Sequence, residues 1–165
     1  MRTALFLFAA LTEADIAWLA DMGTVRRFAA GEALIRRGEN LDALLILLEG
    51  EARVEIAHTA MRRAGESLGE VSLVDTRPAS ADVIALVPVQ ALVVRGDVLR
   101  RELQSNSGFA SRFWRGLAIL LANRLREAAG DDPDAFALDD TMLDGLARAG
   151  DKFLLLLDHT RDGAA

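Results

Sequence analysis

Six short apolar runs occupy the region between Val25 and Val94. They cover residues 25–28, 32–35, 43–48, 52–56, 81–87 and 91–94, and they are separated by Gly31, Gly38, Gly50, Gly65 and Pro88. Runs this short, either alternating or continuously apolar, are typical of β-strands rather than helices. Glycines between them supply the positive φ angles that tight turns need. The pattern predicts a compact antiparallel sandwich or barrel.

Helical patterns lie on both sides of this region. Thr12 followed by Asp15 predicts a helix start, and the apolar face of that helix continues through Ile16, Leu19 and Ala20 to an end near Gly23. After the strands, we predict a short helix over residues 96–103 and a longer one from Asn106 or Ser107 to about Ala129. A last helix is predicted over residues 141–158.

The first residues contain an apolar run after one arginine, which is also a feature of short secretory signals. The alternative is that Leu5, Phe6 and Phe8 pack against the domain. We expect packing, because the run is short and leads directly into the first helix.

Composition excludes several classes of site. The 165-residue chain contains no cysteine, which excludes disulfides, thiolate metal sites and cysteine nucleophiles and fits a cytoplasmic chain. No apolar run approaches the roughly 20 residues needed to span a bilayer. Residues 127–165 carry a net charge of −7, whereas the whole chain has −6, so the negative charge lies in this segment. Such a segment would be repelled by nucleic-acid phosphates.

Residues 69–83, GEVSLVDTRPASADV, are the most informative stretch for function. A Gly-Glu pair opens what reads as a single helical turn, and a proline turn, a Ser-Ala pair and a new apolar run follow. This layout is typical of a pocket for a small phosphorylated ligand.

The glycine-spaced strands, the GEVSL cassette and the flanking helices, in this order, resemble the cyclic nucleotide-binding domain family from about Leu7 to Arg126. The resemblance implies a mainly β fold with flanking α, an antiparallel β-roll of the jelly-roll (double-stranded β-helix) type. It would carry an N-terminal helix, a short phosphate-cassette helix and C-terminal helices. We expect residues 1–130 to form this domain and residues 131–165 to form an acidic linker, beginning with GDDPD at residues 130–134, and a C-terminal helix.

The resemblance also implies a ligand site. Gly69 would let the backbone approach the ligand and Glu70 would accept the ribose 2′-hydroxyl. Val71 and Ser72 begin the cassette helix, whose N–H groups would face the phosphate, and Ser80 and Ala81 would add hydroxyl and backbone contacts. An alternative role for Glu70 is to stabilise the N-terminus of the cassette helix by its charge.

The sequence departs from the family at one position of this site. Members usually have an arginine immediately before the Ser-Ala pair, where this chain has Ala79. A charge-assisted contact contributes about 1.5–3 kcal/mol, so its loss predicts binding that is weaker by about ten- to a hundredfold. Arg77 could reach the phosphate instead, or it could be a solvated turn residue.

The long helix carries a broad apolar stripe, and the resemblance implies that this helix covers the pocket and often forms a dimer interface. The stripe could instead pack on its own β-roll. The acids of the last helix could pair with the arginines of the long helix, or that helix could dock on a partner. The residues predicted to form the dimer or readout helix are Phe109, Phe113, Trp114, Leu117, Leu120 and Leu121.

These observations predict a non-enzymatic regulatory module that weakly senses cAMP, cGMP or a related phosphorylated ligand and signals through its C-terminal helices, as a homodimer or with a protein partner.

We expect no cofactor and no metal, because His58 and His159 are far apart. We expect no membrane partner and no DNA, since the 35 residues after Gly130 are too few and too acidic for a winged helix-turn-helix. The alternative is a ligand-free interaction module with a degenerate pocket; a truncated transcriptional regulator is less favoured.

Overall fold

The computed structural model describes residues 5–56, 59–130 and 138–162. Their contacts form two compact units. One, the β-roll unit, consists of the described residues within 22–101, and the other, the helical unit, consists of those within 1–21 and 102–165. The predicted linker at residues 131–134 and His58 lie outside the described residues.

The β-roll unit contains two four-stranded antiparallel sheets, with strand orders β1-β8-β3-β6 and β2-β7-β4-β5. The strands are β1 (Thr24–Phe28), β2 (Ala33–Ile35), β3 (Ala43–Glu49), β4 (Glu51–Glu55), β5 (Ala60–Arg63), β6 (Ser67–Leu68), β7 (Asp82–Ala85) and β8 (Val89–Arg95). One cluster of buried apolar side chains from both sheets forms the core of this unit. The predicted antiparallel β-roll is therefore confirmed.

The six predicted strands correspond to β1–β4, β7 and β8. The run at residues 43–48, which does not alternate between apolar and polar residues, is β3. Leu45 and Leu47 belong to the core cluster, while Leu44 and Ile46 on the opposite face of the strand are also 0 % exposed. A strand buried on both faces reads as a continuous apolar run. The turn glycines Gly31, Gly38, Gly50 and Gly65 all have φ between 83° and 92°.

Two strands were not predicted. β5 has the sequence AMRR, whose charged residues read as a solvated segment, and β6 is only two residues long. Both are defined by cross-strand pairing, β5 with β4 and β6 with β3, rather than by an apolar pattern of their own. Between β6 and β7 lies the short helix α3 (Val71–Val74), and after β8 the predicted short helix is α4 (Gly96–Ser105).

The helical unit contains α1 (Phe6–Ala10), α2 (Glu13–Met22), α5 (Ser107–Ala129) and α6 (Asp140–Asp162). A capping box starts α2, because the Thr12 backbone N–H donates to Asp15 Oδ2 at 2.8 Å and the Asp15 N–H donates to Thr12 Oγ1 at 3.2 Å. Asn106 caps α5 by accepting the Phe109 N–H at 3.0 Å. The predicted helices and caps are confirmed.

Helix α1 packs against both α5 and α6. Its Phe6 and Phe8 are 3 % and 2 % exposed, and the Phe8 ring lies 5.7 Å from that of Phe153 on α6. The packing interpretation of these two aromatic residues is confirmed, and Leu5 before them is half-buried. Within the three described segments, no helix is both long and apolar enough to cross a bilayer.

Candidate functional site

The segment predicted to bind phosphate begins where β6 ends. Gly69 has a φ of +81°, and a Cβ built on it would lie 2.5 Å from the Ala43 carbonyl oxygen, so only glycine fits there. The following turn is closed by the Ser72 N–H donating to the Gly69 carbonyl at 3.1 Å and by the Asp75 N–H donating to the Val71 carbonyl at 2.9 Å. The sequence prediction of a single helical turn after Gly-Glu is therefore confirmed.

Glu70 is buried, with only 3 % of its surface exposed. Its side chain makes no capping hydrogen bond to α3, and stabilisation of the start of that helix by the charge of Glu70 stays a prediction. Burying a carboxylate is costly, and carboxylates in such positions are concentrated at functional sites. The burial makes Glu70 the principal candidate for a polar contact with a ligand.

Ala79 is fixed by the turn that joins β2 and β3. Its N–H donates to the Glu39 carbonyl at 2.9 Å, and its own carbonyl accepts the Gly38 N–H at 2.8 Å. Its side chain is half-buried and packs against the core of the β-roll unit. Residues 38–43 therefore lie beside the predicted ligand segment at two places. Gly38 and Glu39 are hydrogen-bonded to Ala79, and Ala43 lies against Gly69.

The remaining predicted ligand residues differ in exposure. Ser80 and Val71 are exposed, Ser72 is half-buried, and Ala81, just before β7, is 8 % exposed. Their contacts with a ligand stay predictions.

Arg77 lies at the surface. Its side chain is 85 % exposed, and its Nε donates to Asp75 Oδ2 at 2.7 Å. Hydrogen bonds from the backbone N–H and the side chain of Arg77 hold the pKa of Asp75 below its usual value. The structure therefore places Arg77 on a neighbouring carboxylate of its own turn, and a contact with phosphate stays a prediction.

The burial of a second arginine of this unit was not predicted from the sequence. Arg62 on β5 has a side chain that is only 13 % exposed, although it lies in the polar run AMRR. A run of two arginines normally reads as solvated, so the local sequence offered no signal for its burial.

The predicted readout helix corresponds to α5, and its apolar stripe is divided. Leu121 is half-buried and Trp114 is 40 % exposed, while the others are at most 3 % exposed: Phe109, Phe113, Leu117 and Leu120. The Phe109 ring lies 5.3 Å from that of Trp18 on α2 and 5.7 Å from that of Phe113. Most of the stripe is thus buried within the chain, and the dimer contact stays a prediction.

Helix α6 packs within its own chain. Met142, Ala149 and Leu156 are buried, and α6 contacts α1. Just before α6, Asp139 pairs with Arg115 of α5 at 2.5 Å. Asp139 precedes α6, so pairing of the acids of α6 itself with the α5 arginines stays a prediction. Among the described residues, no group of three or more histidine, aspartate or glutamate side chains is placed to hold a metal ion.

Comparison with known proteins gives one family. A sequence model of the cyclic nucleotide-binding domain matches residues 25–106. A cGMP-dependent protein kinase of Eimeria tenella is 35% identical over 98 residues, which are 58% of this chain and 10% of the kinase. Glutaminase 2 of Bradyrhizobium diazoefficiens is 30% identical over 122 residues, which are 72% of this chain and 19% of the glutaminase. The chain thus spans a fifth or less of the length of these two relatives.

Solved structures agree with this family. The catabolite activator protein of Thermus thermophilus has a TM-score of 0.63 and 26% identity, with 75% of this chain and 60% of that chain covered. A cyclic nucleotide-binding domain from Methylobacillus flagellatus has a TM-score of 0.67, covering 79% of this chain and 77% of its own. Its identity of 24% shows the fold alone.

Proposed function

The chain belongs to the cyclic nucleotide-binding domain family, and from this membership we propose that it is a non-enzymatic regulatory module that senses cAMP, cGMP or a related phosphorylated ligand. Binding would be transmitted through the C-terminal helices. The cyclic nucleotide-binding domain model matches residues 25–106, which supports a regulatory segment rather than a catalytic domain.

The observation that carries this proposal is the burial of Glu70. Its carboxylate is 3 % exposed, directly after a glycine that no other residue could replace without strain. A carboxylate can accept hydrogen bonds from the hydroxyl groups of a ribose, and burial makes such bonds stronger than they would be in water. The position of Glu70 therefore suits a sugar hydroxyl rather than a phosphate.

Weak affinity is part of the proposal. The half-buried side chain at position 79 carries no charge, so the phosphate would depend on backbone N–H groups and on cations from elsewhere in the β-roll unit. Loss of one charge-assisted contact corresponds to about ten- to a hundredfold in affinity. Dissociation constants in the upper micromolar range, rather than the nanomolar range, would fit this site.

Isothermal titration calorimetry with cAMP and cGMP tests the proposal. We expect saturable binding that is weakened at least tenfold by Glu70→Gln, because a neutral amide offers a poorer acceptor to the ribose hydroxyl. Glu39→Gln is the matched control, since Glu39 is exposed and contacts Ala79 only through its backbone. Absence of binding heat with millimolar nucleotide would contradict the proposed function.

A second candidate function is that of a ligand-free dimerisation or protein-interaction module. Among the described residues of the helical unit, four large apolar side chains are exposed: Trp114 by 40 %, Leu125 by 73 %, Leu143 by 51 % and Leu154 by 58 %. On α5, positions 114, 118, 121 and 125 lie on one face of the helix. Exposed apolar residues arranged along one face are typical of a helix that packs against another chain.

Light scattering coupled to size-exclusion chromatography tests this second candidate. A homodimer through α5 should become monomeric in Leu125→Asp and should persist in Thr141→Asp, which adds the same charge at an exposed polar position of the helical unit outside α5. A dimer that forms without nucleotide, together with no nucleotide binding, would favour this candidate over the first. A wild-type monomer that captures no partner would contradict it.

A further inference from the structure

Two neighbouring arginines of β5 have opposite environments. Arg63 has a side chain that is 66% exposed, and its Nε donates to Glu51 Oε1 at 2.9 Å across the strand pair. Arg62 has a side chain that is 13% exposed. Since successive side chains of a strand point to opposite faces, Arg62 points to the face opposite that of Arg63.

The strand register shows that this face is the inside of the roll. Arg62 lies directly opposite Ala52 of β4, and Ala52 lies opposite Ala85 of β7. Both alanines belong to the core cluster and are at most 1% exposed. Directly opposed residues of an antiparallel pair have their side chains on the same face, so Arg62 faces the core.

The buried guanidinium is only partly paired. Its Nη1 donates to the Met61 carbonyl at 3.0 Å and lies 3.9 Å from Glu66 Oε1. The other oxygen of Glu66 accepts the Arg63 backbone N–H at 2.7 Å. Among the residues that the structure describes, Nε of Arg62 is buried and has no hydrogen-bond partner.

A buried cation with an incomplete set of acceptors destabilises a fold, because the cost of removing it from water is not recovered. The residues that line the same face beside Arg62 are Ala52 and Ala85, whose side chains are short and uncharged. Positions where a protein keeps such a charge are candidates for binding an anion.

The inner face also connects Arg62 with the predicted ligand segment. Ala60, two residues from Arg62 on the same face, lies opposite Val54, and Val54 lies opposite Val83 of β7. Val54 and Ala79 both pack against the core cluster that contains Val83. Arg62 and the uncharged position 79 therefore belong to one continuous inner surface.

We propose that Arg62 is the phosphate-binding cation of this domain, contacting the anionic part of a cyclic nucleotide from β5 in place of an arginine at position 79. This inference rests on the proposed nucleotide-binding function. It assigns the phosphate contact to β5 rather than to the segment before β7 that carries the Ser-Ala pair, and it assigns Glu70 to the sugar.

Calorimetry with cAMP on the full chain tests the assignment. Arg62→Gln should weaken binding by ten- to a hundredfold, and Arg62→Lys, which keeps the charge, should recover part of the loss. Arg63→Gln is the matched control, because it removes the same charge from the outer face, and it should bind within about twofold of wild type. Wild-type affinity in Arg62→Gln would overturn the assignment while leaving the proposed function intact, whereas a wild-type chain that binds no nucleotide would overturn both.

A second measurement separates a ligand contact from a structural role. Arg62→Leu combined with Glu66→Gln removes both buried charges, so its urea unfolding midpoint should equal or exceed that of Glu66→Gln alone while cAMP binding is lost. A midpoint of the double variant below that of Glu66→Gln would mean that the β-roll needs the guanidinium for its own stability, which would overturn the assignment.

Discussion

Asp15 of α2 and Arg112 of α5 form an ion pair with two hydrogen bonds, at 2.6 Å from Nε to Oδ2 and 2.8 Å from Nη2 to Oδ1. The same carboxylate accepts the Thr12 N–H in the capping box of α2. Asp15 is 6 % exposed, whereas the Arg112 side chain is 37 % exposed. One side chain thus starts a helix and joins it to another helix 97 residues further along the chain.

Removing the charge of Asp15 should destabilise the helical unit. Asp15→Asn keeps an acceptor for Thr12 but loses the ion pair, and we expect a loss of about 1.5–3 kcal/mol in the free energy of unfolding. The partial exposure of Arg112 favours the lower end of that range. Urea denaturation of Asp15→Asn, Arg112→Met and the double variant gives the coupling energy of the pair.

The control for this cycle is Asp75→Asn. Asp75 pairs with Arg77, whose side chain is 85 % exposed, so the free energy of unfolding of Asp75→Asn should stay close to that of wild type. Equal losses in Asp15→Asn and Asp75→Asn would contradict the importance of the Asp15–Arg112 pair.

The Asp15–Arg112 pair should also make stability depend on pH in the acid range. Burial alone would raise the pKa of Asp15, but hydrogen bonds from Arg112 and Thr12 outweigh it and hold that pKa below 3.8. A carboxyl with a lowered folded-state pKa binds fewer protons in the folded state, so its contribution is complete above about pH 4 and is lost as the pH falls through the folded value. The stability difference between wild type and Asp15→Asn, measured by urea denaturation from pH 7 to pH 2, should shrink towards acid. A constant difference would be inconsistent with this linkage.

Restoring the missing arginine should strengthen nucleotide binding. Ala79→Arg places a guanidinium immediately before the Ser-Ala pair, and a charge-assisted contact of about 1.5–3 kcal/mol corresponds to roughly ten- to a hundredfold in the dissociation constant for cAMP. Ala79→Met controls for side-chain size without charge and should leave the affinity unchanged or lower. Equal affinities of the arginine and methionine variants in calorimetry would show that position 79 does not face the phosphate.

Two glycines of α6 should respond in opposite directions to alanine. A Cβ on Gly145 would collide with the Ala9 carbonyl oxygen of α1, so Gly145→Ala should lower the free energy of unfolding by about 1–3 kcal/mol. A Cβ on Gly150 meets no described atom within 4 Å, so Gly150→Ala should raise it by about 0.5–1 kcal/mol through helix propensity. Thermal or urea unfolding measures both. Stabilisation by both substitutions would mean that α1 and α6 are not packed closely at Gly145.

Local sequence patterns predicted most of the fold. The apolar runs of β3 and β8, the Thr12–Asp15 capping box, the Asn106 cap and the helical turn after Gly69 depend on residues close in the chain, and all are present. The strands β5 and β6 were missed for the converse reason. Their own residues are polar or few, and hydrogen bonds to distant strands define them.

The candidate site divides in the same way. The sequence by itself determined the order Gly69, Glu70, Ser80, Ala81 and the absence of an arginine at position 79, because these are matters of residue type and spacing. Only the tertiary structure decided that Arg77 is hydrogen-bonded to Asp75 at the surface and that Arg62 faces the core. The physical reason is that the burial of a charged side chain on a strand depends on the strand that pairs with it. Arg62 pairs with Ala52, ten residues earlier, and the local sequence around Arg62 does not show this pairing.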